Sequence, residues 1–192
     1  VFGSGELSLE QYPTDAEIAA ESIWLAYMSK DIESKTIADL GAGTGILGIG
    51  ALELNAKFVY FVEKDIPAIK LLQKNLAGYK KNKYSIINSD LNGFNKNIDT
   101  IIMNPPFGTK TRHADKKFLI KAFSLSNRLY SFHKSSTSAF IENLAAANSF
   151  KKVLKRDFAF PLKQTYKFHK SRIKRVEVSL FCLAKEESST QI

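Results

Sequence analysis

Apolar positions along this chain follow two rhythms in turn. Short apolar runs at 35–40 (KTIADL), 57–63 (KFVYFVE), 84–88 (YSIIN), 97–103 (NIDTIIM) and 130–133 (YSFH) have the length of buried strands. Between them, helical spacing takes over. Residues 16–29 (AEIAAESIWLAYMS) set Ile18, Ala19, Ser22, Leu25 and Ala26 on one face, with Thr14 or Asp15 as the cap. Further helices are predicted over 46–55, over 65–79 with Asp65 as cap and Pro67 in its first turn, over 115–128 and over 135–149. The end of the chain differs. FKKVLKRDFAFP and KRVEVSLFCLAK are longer strand-like stretches joined by the basic segment LKQTYKFHKS, and they predict an antiparallel hairpin on one sheet edge within 150–185. Short strands alternating with helices predict an α/β fold. The expected sheet has seven strands, mostly parallel, with helices on both faces. No repeat or linker divides the 192 residues, so one domain, 1–192, is expected.

The turn after the first strand carries the first candidate chemistry. In IADLGAGTGILGIG, Asp39 ends the strand, and Gly41, Gly43 and Gly45 lead into a helix. Glycines there turn the chain sharply and let a ligand approach without meeting a Cβ. Glu63 ends the second strand, where an acid can accept hydrogen bonds from both ribose hydroxyls. A pyrophosphate would want G-x-G-x-x-G and open helix amides. Here the spacing is G-x-G-x-G behind an acid, which repels phosphate and favours a cationic amine or sulfonium. S-adenosylmethionine carries both cations and no phosphate. Asp90, after the third strand, is placed to accept from an adenine amino group, with Leu91 packing on the ring. The plainer alternatives are an Asx turn for Asp90 within NSDLNG and a turn or helix-cap role for Asp39.

The second candidate is IIMNPPFGTKT, 101–111. The strand delivers Asn104 to the carboxyl edge of the sheet, where ligands sit in open α/β sheets. Asn104 offers an acceptor oxygen, and Pro105, with no N–H, offers its carbonyl. Two acceptors suit a planar amino group, and Phe107 can stack beneath a flat base. Pro106 stiffens the turn. Such a site aligns the nitrogen lone pair with a methyl donor and needs no strong base, because the proton can leave after transfer. A paired base does not fit it, so the target is expected to be unpaired or flipped.

Charge adds a partner. The chain is +9 overall, but residues 1–109 carry 10 Lys/Arg against 13 Asp/Glu, whereas 110–175 carry 17 against 3. A basic surface that begins beside the candidate pocket fits a polyanion. KQTYKFHKSRIKR interleaves cations with Tyr166 and Phe168, suited to phosphates and stacked bases. His113, His133 and His169 lack partners at metal-ligand spacing, so no metal site is expected. The single Cys182 lies in an apolar run and is expected to be a buried hydrophobe in a reducing, cytoplasmic setting. No apolar stretch approaches a bilayer span, and no membrane partner is expected.

These residues resemble class I S-adenosylmethionine-dependent methyltransferases bearing the Asp/Asn-Pro-Pro-Phe/Tyr signature. More narrowly, the chain resembles the archaeal and eukaryotic family that methylates N6 of an adenosine in small-subunit ribosomal RNA. The likeness covers nearly the whole chain. It rests on LEQYPT at 9–14, ADLGAGTGILGIGA at 38–51, NPPFGTK at 104–110, the helix from Asp115, SFHKSST at 131–137 and YKFHK at 166–170.

The resemblance implies a Rossmann-like methyltransferase fold with a cofactor-covering segment at 1–30. It implies that Gln11, Tyr12 and Thr14 lie over S-adenosylmethionine, and that Asp39, Gly41 and Gly43 form its methionine-side loop. Glu63 then binds the ribose and Asp90 the adenine, while Asn104, Pro105, Pro106 and Phe107 form the catalytic tetrapeptide. His133 and Lys134, then Lys167, Phe168, His169 and Lys170, resemble RNA-facing positions, with Lys110 and Arg112 beside the tetrapeptide. The chain departs from the family at TRHAD, 111–115, where relatives are richer in Gly and Asn. Eukaryotic relatives work with a small zinc-containing activator protein that extends the sheet, and the resemblance implies such a partner here. Other targets remain open on the residues alone: an adenine in DNA, guanine N2 or a protein glutamine. So does a non-enzymatic RNA-binding or ribosome-assembly role.

Overall fold

A computed structural model describes residues 14–106, 114–162 and 174–186. In chain order the elements are α1 (Ala16–Met28), β1 (Thr36–Leu40), α2 (Ile46–Glu53), β2 (Phe58–Glu63), α3 (Ile66–Asn75), β3 (Tyr84–Asn88), β4 (Thr100–Met103), α4 (Ala114–Leu125), β5 (Arg128–Lys134), α5 (Ser138–Ala146), β6 (Phe150–Leu162) and β7 (Lys174–Lys185). The seven strands form one sheet in the order β3-β2-β1-β4-β5-β7-β6. The first five are parallel, and β7 runs antiparallel to both β5 and β6. The expected fold class is the observed one.

Side chains alternate across each strand, so parity decides which face a residue serves. Ile37, Val59, Phe61, Ile102 and Phe132 pack with α1, α2 and α3 on one face. Ala38, Leu40, Val62, Ile101, Met103 and Leu129 pack with α4 and α5 on the other. Both faces are buried, which is why these parallel strands read as continuous apolar runs. Cys182 is buried in the first of these cores, as expected.

Element ends differ from the sequence expectation where side chains capture backbone groups. The fourth helix stops at Leu125, not 128, because the Ser126 hydroxyl bonds the carbonyls of Asp99 and Arg128 and turns the chain into β5. The expected helix at 135–149 opens with a 3-10 turn held by Thr137 and Ser138 hydroxyls, and regular helix begins at Ser138. The caps of α1 and α3 are Asp15 and Asp65.

The hairpin β6–β7 runs past the end of β5. Lys134 pairs with Val178, and β7 continues back to Lys174, opposite Leu162. Both ends of the basic connection 163–173 therefore lie beyond the carboxyl edge of the sheet, the edge that also carries Asn104.

Candidate active site

Parity and the ends of three adjacent strands build the site. Asp39, Glu63 and Asn104 each continue the alternation that puts Ile37, Phe61 and Ile102 on the face of α1–α3. Three polar side chains thus converge at one edge, on one face.

Asp39 is 1% exposed, and its Oδ2 accepts the Gly48 amide at 2.9 Å. Gly48 lies in the first turn of α2, whose own N-cap, Gly45, has no side chain to offer. Asp39 therefore caps α2 from the neighbouring strand. Burial pushes its carboxyl up to about 7; the Gly48 amide pulls it back, and the nearby Glu63 charge adds to the rise.

Glu63 is also buried and accepts three amides. Gly43 donates to Oε2 at 2.8 Å, while Lys64 and Asp65 donate to Oε1 at 2.8 and 2.9 Å. The Glu63 carboxylate so ties the tip of the glycine turn to β2. Gly43 has φ +54°, and no atom lies within 4 Å of where a Cβ would stand. This is the one open approach in the turn: a Cβ on Gly45 would lie 2.3 Å from Leu72 Cδ1. An open, positively turned glycine beside two acids, with no cation in 39–45, fits a cationic, phosphate-free cofactor.

Asn104 follows β4. Its Nδ2 donates to Thr14 Oγ1 at 2.9 Å, across 90 residues of sequence. Its Oδ1 is buried and has no hydrogen-bond partner among the described residues. A buried, unpaired carbonyl at a strand end is a vacant acceptor facing a donor yet to arrive. Pro105 is buried beside it.

The other predicted positions are placed as follows. Asp90 is exposed, and its Oδ1 accepts the amides of Asn92 and Gly93, closing the Asx turn. Leu91 packs against the α4–α5 core. His133 does not present its ring to solvent: it is 1% exposed. Parity sends it to the α4 face, away from Asn104, where Nε2 lies 2.7 Å from Ser131 Oγ and Nδ1 lies 3.7 Å from Asp115 Oδ2. The order Asp115–His133–Ser131 has the look of a nucleophilic triad, but Ser131 is 0% exposed and no substrate reaches it. Lys134 is half-buried. Gln11, Tyr12, Phe107, Lys110, Arg112, Lys167, Phe168, His169 and Lys170 lie outside the described residues. Among the described residues no cluster of metal-ligating side chains occurs, and no helix is long and apolar enough to cross a membrane.

Sequence reasoning missed two contacts, Thr14–Asn104 and Asp115–His133. Neither has a local signature, since each joins segments far apart in the chain.

Known proteins resemble this chain in sequence and in fold. The family model of the methyltransferase small domain matches residues 17–127. The rRNA N(6)-adenosine-methyltransferase METTL5 of Danio rerio is 33% identical over 184 residues, covering 92% of this chain and 89% of that protein. Its Drosophila melanogaster counterpart is 33% identical over 188 residues, covering 94% and 88%. The crystal structure of PH1948 from Pyrococcus horikoshii superposes with a TM-score of 0.85 at 39% identity, covering 94% of this chain and 88% of that one. With the family model over residues 17–127 and relatives 33% identical over nearly the whole chain, the chain belongs to the methyltransferase small domain family, in the group that contains the METTL5-type rRNA N(6)-adenosine-methyltransferases.

Proposed function

We propose that this chain is an S-adenosylmethionine-dependent methyltransferase acting on the exocyclic N6 of an unpaired or flipped adenosine in RNA, with small-subunit rRNA as the target. The observation that carries the reading is the vacant, buried Oδ1 of Asn104. An amino group satisfies it; an unprotonated ring nitrogen, such as those of adenine's ring, or a base carbonyl does not. The Pro105 carbonyl supplies the second acceptor. Holding both N–H bonds in two directions turns the nitrogen lone pair out of conjugation with the ring and fixes its aim. Bound S-adenosylmethionine supplies an electrophilic methyl group. Gly41 and Gly43 give it backbone to lie against, Asp39 supplies negative charge for its cationic end and Glu63 an acceptor for its ribose. Asp90, held in its turn, stands beyond the end of β3, with a second carboxylate oxygen for the adenine amino group. The proton leaves the methylated nitrogen after transfer, so the buried site needs no base of its own.

The relatives' substrate favours rRNA over DNA or protein, and the basic hairpin overhanging the Asn104 edge supports an RNA partner. The small zinc-containing activator is the finer partner we infer. Its support is the bare edge of β3, YSIIN, which carries no charge and leaves Ile86 and Ile87 half-buried. The opposite edge, β6, is blunted by Lys151, Lys152, Lys155, Arg156 and a bulge. Slower amide exchange in β3 on adding such a partner tests this; unchanged exchange counts against it. An rRNA target and a free thiol support the cytoplasmic setting we infer.

The deciding experiment is nucleoside mass spectrometry after incubation with deuterated-methyl S-adenosylmethionine and unmodified small-subunit rRNA. Labelled N6-methyladenosine, lost in Asn104→Ala while cofactor binding is kept, is the expected result. Labelled N2-methylguanosine moves the target, label in protein moves the substrate class, and full activity in Asn104→Ala removes the alignment mechanism.

A further inference from the structure

We propose that Thr14 is a positioning residue whose hydroxyl locks the Asn104 carboxamide with its oxygen, not its nitrogen, turned to the methyl-accepting amine. The inference rests on the amino-methylation reading above. It gives Thr14 a different task from covering the cofactor.

The oxygen and nitrogen of a carboxamide have the same shape, so only hydrogen bonding separates the two orientations. In the observed one, Nδ2 donates to Thr14 Oγ1 at 2.9 Å and the buried Oδ1 is left unpaired. Turned over, Oδ1 would take the Thr14 hydroxyl hydrogen. Both N–H groups would then occupy the buried, partnerless position. Orphaned buried donors are rarer in folded proteins than under-satisfied carbonyls, so the observed orientation is the one the site holds. An Asn104 presenting Nδ2 would repel an amino group and welcome a carbonyl or ring nitrogen. With the other orientation disfavoured by its orphaned donors, Thr14 Oγ1, as acceptor, holds the carboxamide in the sign the site needs.

Thr14 is built for this. It is 8% exposed, and the next residue, Asp15, caps α1 by accepting the Glu17 and Ile18 amides. The cap fixes the Thr14 backbone, and α1 is anchored in the core through Ala19, Ile23 and Ala26. The hydroxyl thus stands on a rigid helix start rather than on a mobile chain.

Thr14→Val keeps the shape and removes the hydroxyl, and Thr14→Ser keeps the hydroxyl. The expected result is a fall in kcat of about 10- to 100-fold for Thr14→Val, with the S-adenosylmethionine Kd within about twofold by calorimetry, and recovery to within about threefold in Thr14→Ser. A second readout needs no RNA. The Asn104 side-chain amide resonances, identified by their loss in Asn104→Asp, should exchange with solvent at least about tenfold faster in Thr14→Val than in the wild type or Thr14→Ser. Thr14→Ala serves if the valine variant does not fold. Unchanged exchange in Thr14→Val overturns the lock, as does a weakened cofactor Kd with kcat intact, which would make Thr14 a cofactor residue alone. Were the wild type to methylate no amine, the proposed function would fall, while the resonance comparison would still decide the lock.

Discussion

Asp39 holds one carboxylate between two opposed demands. Buried, it titrates near 7 and binds a proton that an unfolded aspartate, near 3.8, does not bind until lower pH. A raised carboxyl stabilises the fold as pH falls from about 7 toward 4, and its ionised form opposes folding above 7. The same ionised form is the one that suits a cationic cofactor. Asp39→Asn keeps an oxygen for the Gly48 amide and removes the charge. It should melt higher than the wild type at pH 8, with the difference closing by pH 5, and should bind S-adenosylmethionine more weakly. In the wild type, the cofactor Kd should rise about tenfold for each pH unit below 7. A pH-independent Kd, or a melting difference that is the same at every pH, would sink this account. Asp39, Gly43, Glu63 and Asn104 were legible in sequence because strand ends and glycine punctuation are local signals. Their partners were not. That Asp39 caps α2, that Glu63 ties down Gly43 and that Thr14 meets Asn104 all depend on how separate segments pack.

At the scale of elements, strand and helix types followed from apolar rhythm, whereas ends followed from hydroxyls. Ser126, Thr137 and Ser138 each divert a backbone group, and rhythm alone does not see that competition. The same limit hid how α4 is fastened to β5. Asp115 opens α4, and His133 near the end of β5 lies 3.7 Å from it, wedged edge-on to Phe181. Burial pushes the His133 ring below its ordinary 6.5, against the pull of Asp115. The His133 ring in turn holds the Asp115 carboxyl below the usual carboxylate range. The sign for a depressed histidine is fixed: its contribution is whole above 6.5 and is lost as pH falls toward the folded value. Asp39 pulls the other way over the same range, so the wild type partly cancels the two. In an Asp39→Asn background, stability should fall between pH 7 and 5, and His133→Gln should flatten that fall. Identical slopes with and without His133 would mean that the buried ring does not titrate in folding.

Across the whole molecule, charge is divided by function. The half of the chain that forms β1–β4 is slightly acidic, and the half after Asn104 carries the whole surplus of positive charge. Topology turns part of the later chain toward the edge that carries Asn104: β7 runs antiparallel to β5, and the hairpin continues past Lys134, which itself lies two residues beyond the level of Asn104. In the proposed function an acidic cofactor end and a basic substrate end share one sheet edge. A surface of this kind attracts RNA through phosphates, which gives affinity and salt dependence rather than sequence choice. In the proposed function the target base is then selected at Asn104 by its amino group. The two roles are separable by measurement. Replacing Lys167 and Lys170 with Gln should weaken RNA binding and lower the slope of log affinity against log salt by about one unit per lysine. It should leave the nucleoside product unchanged. Asn104→Ala should do the reverse, with RNA affinity and salt slope kept and methyl transfer lost. If the lysine pair changed which nucleoside is methylated while the slope stayed fixed, the basic hairpin would be reading the base and not the backbone.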